Sequence, residues 1–245
     1  MGQKISSYAL RLGYNQTWNS SYFAPKKEQA NWLKQDKLIR DYLFKSYSGI
    51  TKIKIERTET ELFVFAHTVN MTLMMGENNN NLDLILQKIA TILDNKKIHT
   101  KFHLNEIKKI YSSAQSIANN LSEQITNRVR YRQACKKIVR QAMLENEVQG
   151  VKVKISGLLD GNKIARTELF IEGKMPTSTL DSIIEYGQAV AKTTTYGQIG
   201  IIIWLCKVKV KEFKNNWQNE RNEKEKKYQR RSQWTNKNYS IEKNA

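Results

Sequence analysis

Arg128, Arg132, Lys136 and Arg140 stand four residues apart along the chain. Guanidinium and ammonium groups in a row do one kind of chemistry: they donate charge-assisted hydrogen bonds to phosphate oxygens. On a helix, a spacing of four puts them along one slowly drifting stripe. Each step rises about 6 Å, similar to the separation of successive phosphates on an extended strand. Tyr131, Ala134, Cys135, Ile138, Val139, Ala142 and Met143 form the opposite, apolar side. A basic stripe is ordinarily a solvated helix face. Here no acid lies between Arg128 and Met143 to neutralise it, so the stripe is expected to meet RNA backbone.

A second candidate is the turn Gly76-Glu77-Asn78-Asn79, between an apolar strand and a helical segment. KH modules clamp RNA backbone over a loop with two glycines. Here the second glycine is replaced by Asn79, which tolerates left-handed backbone less freely, and an ordinary Asn-rich turn is the simpler reading. Catalytic constellations are missing: there is no Walker sequence, nucleophile elbow or dinucleotide fingerprint. Glu168 and Glu172 resemble a carboxylate pair, but Arg166 and Lys174 adjoin them, and salt bridging explains them. No enzyme activity and no cofactor are expected. His99 and His103 fall in an alternating, strand-like stretch that holds them apart, with no acidic ligand cluster beside them, so no metal site is expected. Cys135 and Cys206 are the only cysteines and make no disulfide framework.

The bulk charge points the same way. Across 245 residues, 41 Lys+Arg face 23 Asp+Glu, a net +18. Such a surface repels itself unless a polyanion neutralises it, and nucleic acid is the leading partner. No stretch approaches the roughly 20 apolar residues that span a bilayer. Gly2 and Ser6 fit a short myristoylation pattern that often matches by chance. Neither a membrane nor a small-molecule substrate is expected as a partner.

The elements that must position these groups alternate in period. Residues 1–25 are polar and aromatic, and Met1 to Gly13 reads as an extended arm carrying Lys4 and Arg11. A helix is expected over 27–47, with Ala30, Leu33, Leu38, Leu43 and Phe44 as its apolar stripe. Strands follow from Ile50 to Glu56, from Glu61 to Thr68 and from Ile98 to Leu104, with a helix from Leu82 to Leu93 before the last. Two helices are expected over 106–126 and from about Arg128 to Asn146. After Gly150 the period changes to two, and about four strands, expected to be antiparallel, begin at Val151 and around Ile164, Ile183 and Gln198. Beyond Lys207 the pattern dissolves into a basic tail, a solvated helix or disordered. The fold class is α+β.

Several blocks then carry a resemblance. Met1-Gly-Gln-Lys4 with Leu10-Arg-Leu-Gly13 resembles the opening of the bacterial-type ribosomal protein three family of the small subunit. Ser156-Gly-Leu-Leu-Asp-Gly-Asn-Lys-Ile-Ala-Arg-Thr-Glu168, then Glu172-Gly-Lys-Met-Pro176, then Thr194-Thr-Tyr-Gly-Gln-Ile-Gly200 with Trp204, are similar to its later segments in order and spacing. The resemblance implies an arm and helix at 1–37, a type II KH domain at 38–108, a C-terminal domain of two helices and about four strands at 109–207, and a basic tail at 208–245. It implies a structural constituent of the subunit head that binds small-subunit rRNA, touches neighbouring head proteins and lines the channel by which mRNA enters. The family's mRNA-touching cations fall on Arg132 and Lys136. The sequence departs from the family at Gln133 and Leu158, where arginine is usual. The RNA-binding candidates are thus Arg128, Arg132, Lys136, Arg140, Lys4, Arg11 and Arg166. The alternative is a free KH-type RNA-binding factor. Asn15-Gln-Thr-Trp-Asn-Ser-Ser-Tyr-Phe-Ala24 looks like the alphaproteobacterial and mitochondrial branch, and the Asn- and Lys-rich, Pro-poor composition suits an AT-rich organelle genome. A mitochondrial ribosome is expected, with plastid and bacterium as alternatives; no cleavable presequence is visible, in keeping with synthesis inside the organelle.

Overall fold

Period-two and helical segments assemble into two four-stranded sheets in the computed structural model of the chain. It describes residues 5–47, 49–76, 80–93, 98–193 and 197–208. The first sheet has the order β1 (Ser20–Ser21), β2 (Ile50–Arg57), β3 (Glu61–Thr68), β4 (His99–Glu106). Strand β2 pairs antiparallel with β3, and β3 parallel with β4, opposing Phe65 to His103. A parallel neighbour needs a crossover, which here is made by α2 (Met71–Met75) and α3 (Asn80–Leu93). Ile53, Ile55, Leu62 and Val64 alternate inward from the strands. They meet Ile85, Ile89 and Leu93 of α3 and Ile39 and Leu43 of α1 (Lys26–Ser46).

The second sheet has the order β6 (Arg166–Gly173), β5 (Val148–Gly157), β8 (Gly197–Lys207), β7 (Ile183–Thr193). Every pairing in it is antiparallel, as expected. Helices α4 (Ala114–Thr126) and α5 (Tyr131–Met143) cover one face. Ile117, Leu121, Cys135 and Ile138 pack there on Val151, Val153, Ile201 and Ile203. Gly187 of β7 lets the start of α4 approach closely: a Cβ there would lie 2.4 Å from the backbone carbonyl of Ala114. The α+β architecture is the expected one, with the first half ordered as a KH domain and the second as two helices and a sheet. Among the described residues no helix is long and apolar enough to cross a membrane.

Four local expectations are corrected. The buried stripe of α1 is Trp32, Asp36, Ile39 and Leu43, whereas Leu33, Leu38 and Phe44 are exposed. A buried acid on that face disguised the true period. The same helix runs through residues 37 and 38, where the resemblance implies a boundary. Helix α4 begins at Ala114 rather than 106, because β4 continues to Glu106 and the Ile107 amide still bonds to the Thr68 carbonyl at 2.8 Å. The described part of the arm is not extended: Ala9–Arg11 forms a 3₁₀ turn, and Gln16 donates to the Ile184 carbonyl at 2.6 Å. The tail beyond 208 lies outside the described residues.

Candidate nucleic-acid interface

Helix α5 is amphipathic in the expected sense. Ala134, Cys135, Ile138, Val139 and Ala142 are buried, and Arg132, Gln133, Lys136, Lys137 and Arg140 are exposed. The ladder itself needs two corrections. Arg128 is not on the helix. It has a φ of 63° in the turn after α4, with its amide on the Ile125 carbonyl at 3.0 Å and the Val129 amide on the Gln124 carbonyl at 3.0 Å. These two bonds form a Schellman-type helix stop, in which the left-handed position usually falls to glycine. An arginine there removes the first rung from the helical row.

Arg132 is not free of acid. Its Nη2 and Nε donate to the two carboxylate oxygens of Glu168 at 3.0 and 3.4 Å. The Tyr131 hydroxyl donates to Glu168 at 2.8 Å, and Arg166 Nη2 donates to the Tyr131 oxygen at 3.1 Å. Hydrogen bonding from Arg132, then from Tyr131, together with the charges of Arg132 and Arg166, holds the Glu168 carboxyl below its ordinary range despite some desolvation. The acid comes from β6, 36 residues along the chain, so local sequence gave no sign of it. Arg166 serves this same cluster and is also exposed.

Lys136, Lys137 and Arg140 have no acid within ion-pair distance among the described residues. They line a shallow recess with Gln133, Gln141 and Leu144. A second recess at the start of α5 is bordered by Arg128, Arg130 and Arg132. Thus Arg128 rejoins the cationic surface in space although it left the helix. Arg130 and Lys137 belong to the same surface and were missed, because counting by fours follows one stripe and skips its neighbours.

The other candidates fare differently. Arg11 is completely buried. It donates to the carbonyls of Ser7, Pro176, Thr177, Thr179 and Ser182 and to the Ser182 hydroxyl, at 2.5–3.1 Å. With its donors engaged and no exposed surface, it has nothing to offer a phosphate, and its assignment to RNA is corrected to a clasp between the arm and residues 176–182. Lys4 lies outside the described residues, as do Glu77, Asn78 and Asn79 of the KH loop. Gly76 closes α2 with a φ of 68°, and a Cβ there would come within 2.6 Å of the Asn81 side chain. Burial raises the Cys135 thiol to about 12 and also pushes up Cys206, so neither is a poised nucleophile. No group of three metal-ligating side chains is found among the described residues.

Residues 121–205, from α4 through β8, match the family described as ribosomal protein S3, C-terminal domain. The chain is 39% identical over 209 residues to small ribosomal subunit protein uS3 of Spiroplasma citri, covering 84% of this chain and 82% of that one. It is 39% identical over 217 residues to the protein of the same name from Pelagibacter ubique, covering 87% and 94%. With that of Fusobacterium nucleatum it shares 38% over 208 residues, covering 84% and 93%. Similarity of this extent runs through both sheets and both cores, and the chain therefore belongs to the small ribosomal subunit protein uS3 family, whose members are structural proteins and not enzymes.

Proposed function

We propose that this chain is a structural component of the small ribosomal subunit that holds small-subunit rRNA and lines the channel by which mRNA enters, with α5 as the RNA-facing element. The observation that carries this reading is the row Lys136, Lys137 and Arg140, solvent-exposed and without acidic partners among the described residues, on a helix whose other side is locked into a core. Cations fixed in this way bind phosphate without first breaking an internal ion pair, and the rigid core fixes their spacing. Arg132, oriented by Glu168 and Tyr131, extends the row towards Arg128 and Arg130. The relatives are named as small-subunit proteins, which favours the ribosomal reading over a free KH-type RNA-binding factor.

Sedimentation separates the two. One copy per small subunit, retained through a moderate salt wash, is expected; a predominantly free pool would instead identify a free factor. The channel role has its own test. Charge reversal at Arg132 and Lys136 should slow initiation on messages with structured leaders and spare unstructured ones. Equal rates on both would remove α5 from the channel.

We also place the chain in a mitochondrial ribosome. The relatives named above are bacterial, while the Asn- and Lys-rich composition with only two prolines suits an AT-rich organelle genome. Recovery of the chain from washed, protease-treated mitochondria is expected, and its recovery from another compartment would reassign it.

A further inference from the structure

Side chains alternate across a sheet, so the first sheet has a face turned away from its helices. Ile53, Ile55, Leu62 and Val64 point into the core with α1 and α3. The registers of β2, β3 and β4 therefore put Lys52, Lys54, Phe63, Phe65, Lys101 and His103 on the other side. Phe63 and Phe65 stand two apart on β3, and His103 is opposite Phe65 on β4. No two of their ring planes differ by more than 18°. The centroids are 5.1 Å apart from Phe65 to His103, 6.4 Å from Phe63 to His103 and 6.5 Å from Phe63 to Phe65. Both phenyl rings are half-buried, and His103 is exposed.

Two features identify what fits there. First, the apolar surface is entirely aromatic. By parity, β2, β3 and β4 bring no aliphatic side chain to this face, so a partner's apolar helix has little to interdigitate with. Ring faces stack on nucleobases whatever the base. Aromatic rings on a four-stranded sheet serve RNA-binding modules in this way, stacking about two or three bases. Second, cations sit beside the rings. Lys101 Nζ lies 5.0 Å from the centre of the Phe63 ring, Lys54 is opposite Phe65, and Lys52 makes no ion pair among the described residues. Glu61 holds Lys101 at 3.0 Å and Glu56 holds Lys54 at 2.6 Å. Ion pairs this exposed are weak, so both lysines exchange readily to a phosphate. A duplex hides the faces of its bases in its own stack, whereas an unpaired strand offers them.

We infer that the outer face of the first sheet is a stacking platform for unpaired nucleotides, with about two or three bases on Phe63, Phe65 and His103 and the linking phosphates beside Lys52, Lys54 and Lys101. It lies on the side of the sheet away from α2, whose Met74 packs into the core and which leads into the KH loop. It reads ring faces as well as charge, and it does not rest on α5 as the RNA-facing element.

The test measures the affinity of the full chain for a single-stranded oligouridylate about eight nucleotides long and for an abasic ribose-phosphate chain of the same length, which keeps the charge and lacks the rings. The base-bearing strand is expected to bind about tenfold more tightly. Phe63→Leu with Phe65→Leu keeps the apolar bulk and removes two π faces, and it should bring the two affinities together. Phe65→Trp should preserve the difference. Lys136→Ala with Arg140→Ala should weaken both strands alike and leave their ratio intact, which separates failure here from failure of α5. In small subunits, a diazirine-bearing phenylalanine at position 65 should give a nuclease-sensitive adduct. Equal binding of the two strands by the parent chain, a ratio indifferent to the leucines, or a nuclease-resistant protein adduct in the subunit would overturn the inference.

Discussion

Arg11 has the residue type of an RNA contact and the environment of a core residue. Its guanidinium satisfies carbonyls at 7, 176, 177, 179 and 182, and removing it leaves those acceptors short of a donor. Hydrogen bonds to charged groups are worth more than neutral ones, and Arg11→Met should destabilise the chain by about 3 kcal/mol or more in urea unfolding. Arg11→Lys should not restore it, because an ammonium cannot span that fork of acceptors. Asp36 presents the converse problem. Both its carboxylate oxygens are buried, and among the described residues neither has a hydrogen-bond partner of ordinary geometry, Ser20 being the hydroxyl that acts on it. Desolvation raises its pKa, although the nearby Ser20, Arg40 and Arg57 act to lower it. The folded state therefore keeps this proton to a higher pH than the unfolded chain does. That favours folding below the ordinary carboxylate value and is lost as pH rises through the raised one. Asp36→Asn should flatten the slope, so that the variant gains on the parent in urea midpoints as pH rises from below the ordinary carboxylate value through the raised one. Neither environment is legible in sequence, since the surroundings of Arg11 lie about 170 positions away and those of Asp36 come from three separate elements.

Elements were more legible than residues wherever one face alone is buried. Strand β3 runs from Glu61 to Thr68, as alternation indicated, because Leu62, Val64 and Ala66 must face the core. The stripe of α4, Ala114 to Ile125, was likewise visible. Its start was not, because the segment before it is held by β4 and a 3₁₀ turn at Ile110–Ser112 rather than by any helix-stop residue. For α5 the period was right and the charge count wrong, since pairing of Arg132 with Glu168 is a tertiary fact. That correction sharpens a prediction. Lys136 and Arg140 make no ion pair among the described residues, so Lys136→Ala with Arg140→Ala should cost RNA affinity without costing stability. Each phosphate contact on a single strand contributes about 0.7 to the slope of log affinity against log salt. The double variant should lower that slope by about 1.4 in filter-binding titrations. An unchanged slope would mean these two side chains do not touch phosphate.

At the scale of the whole molecule, a chain with a net charge of +18 folds two sheets with separate cores. The charge explains why the chain needs a polyanion, and the cores explain why the contacts are specific in place. The one-sided burial of each sheet leaves α5 outward on the second and an aromatic, lysine-flanked face outward on the first. Family membership was legible because blocks at residues 1–13, 156–176 and 194–204 share the family's order and spacing. The most direct measurement is ultraviolet cross-linking of purified small subunits, followed by mass mapping of nucleotide-bearing peptides from this chain. Nucleotide adducts on residues 128–143 are expected, with none on the buried segment around Arg11. Adducts absent from 128–143 while present elsewhere on the chain would contradict the assignment of α5 as the RNA-facing element.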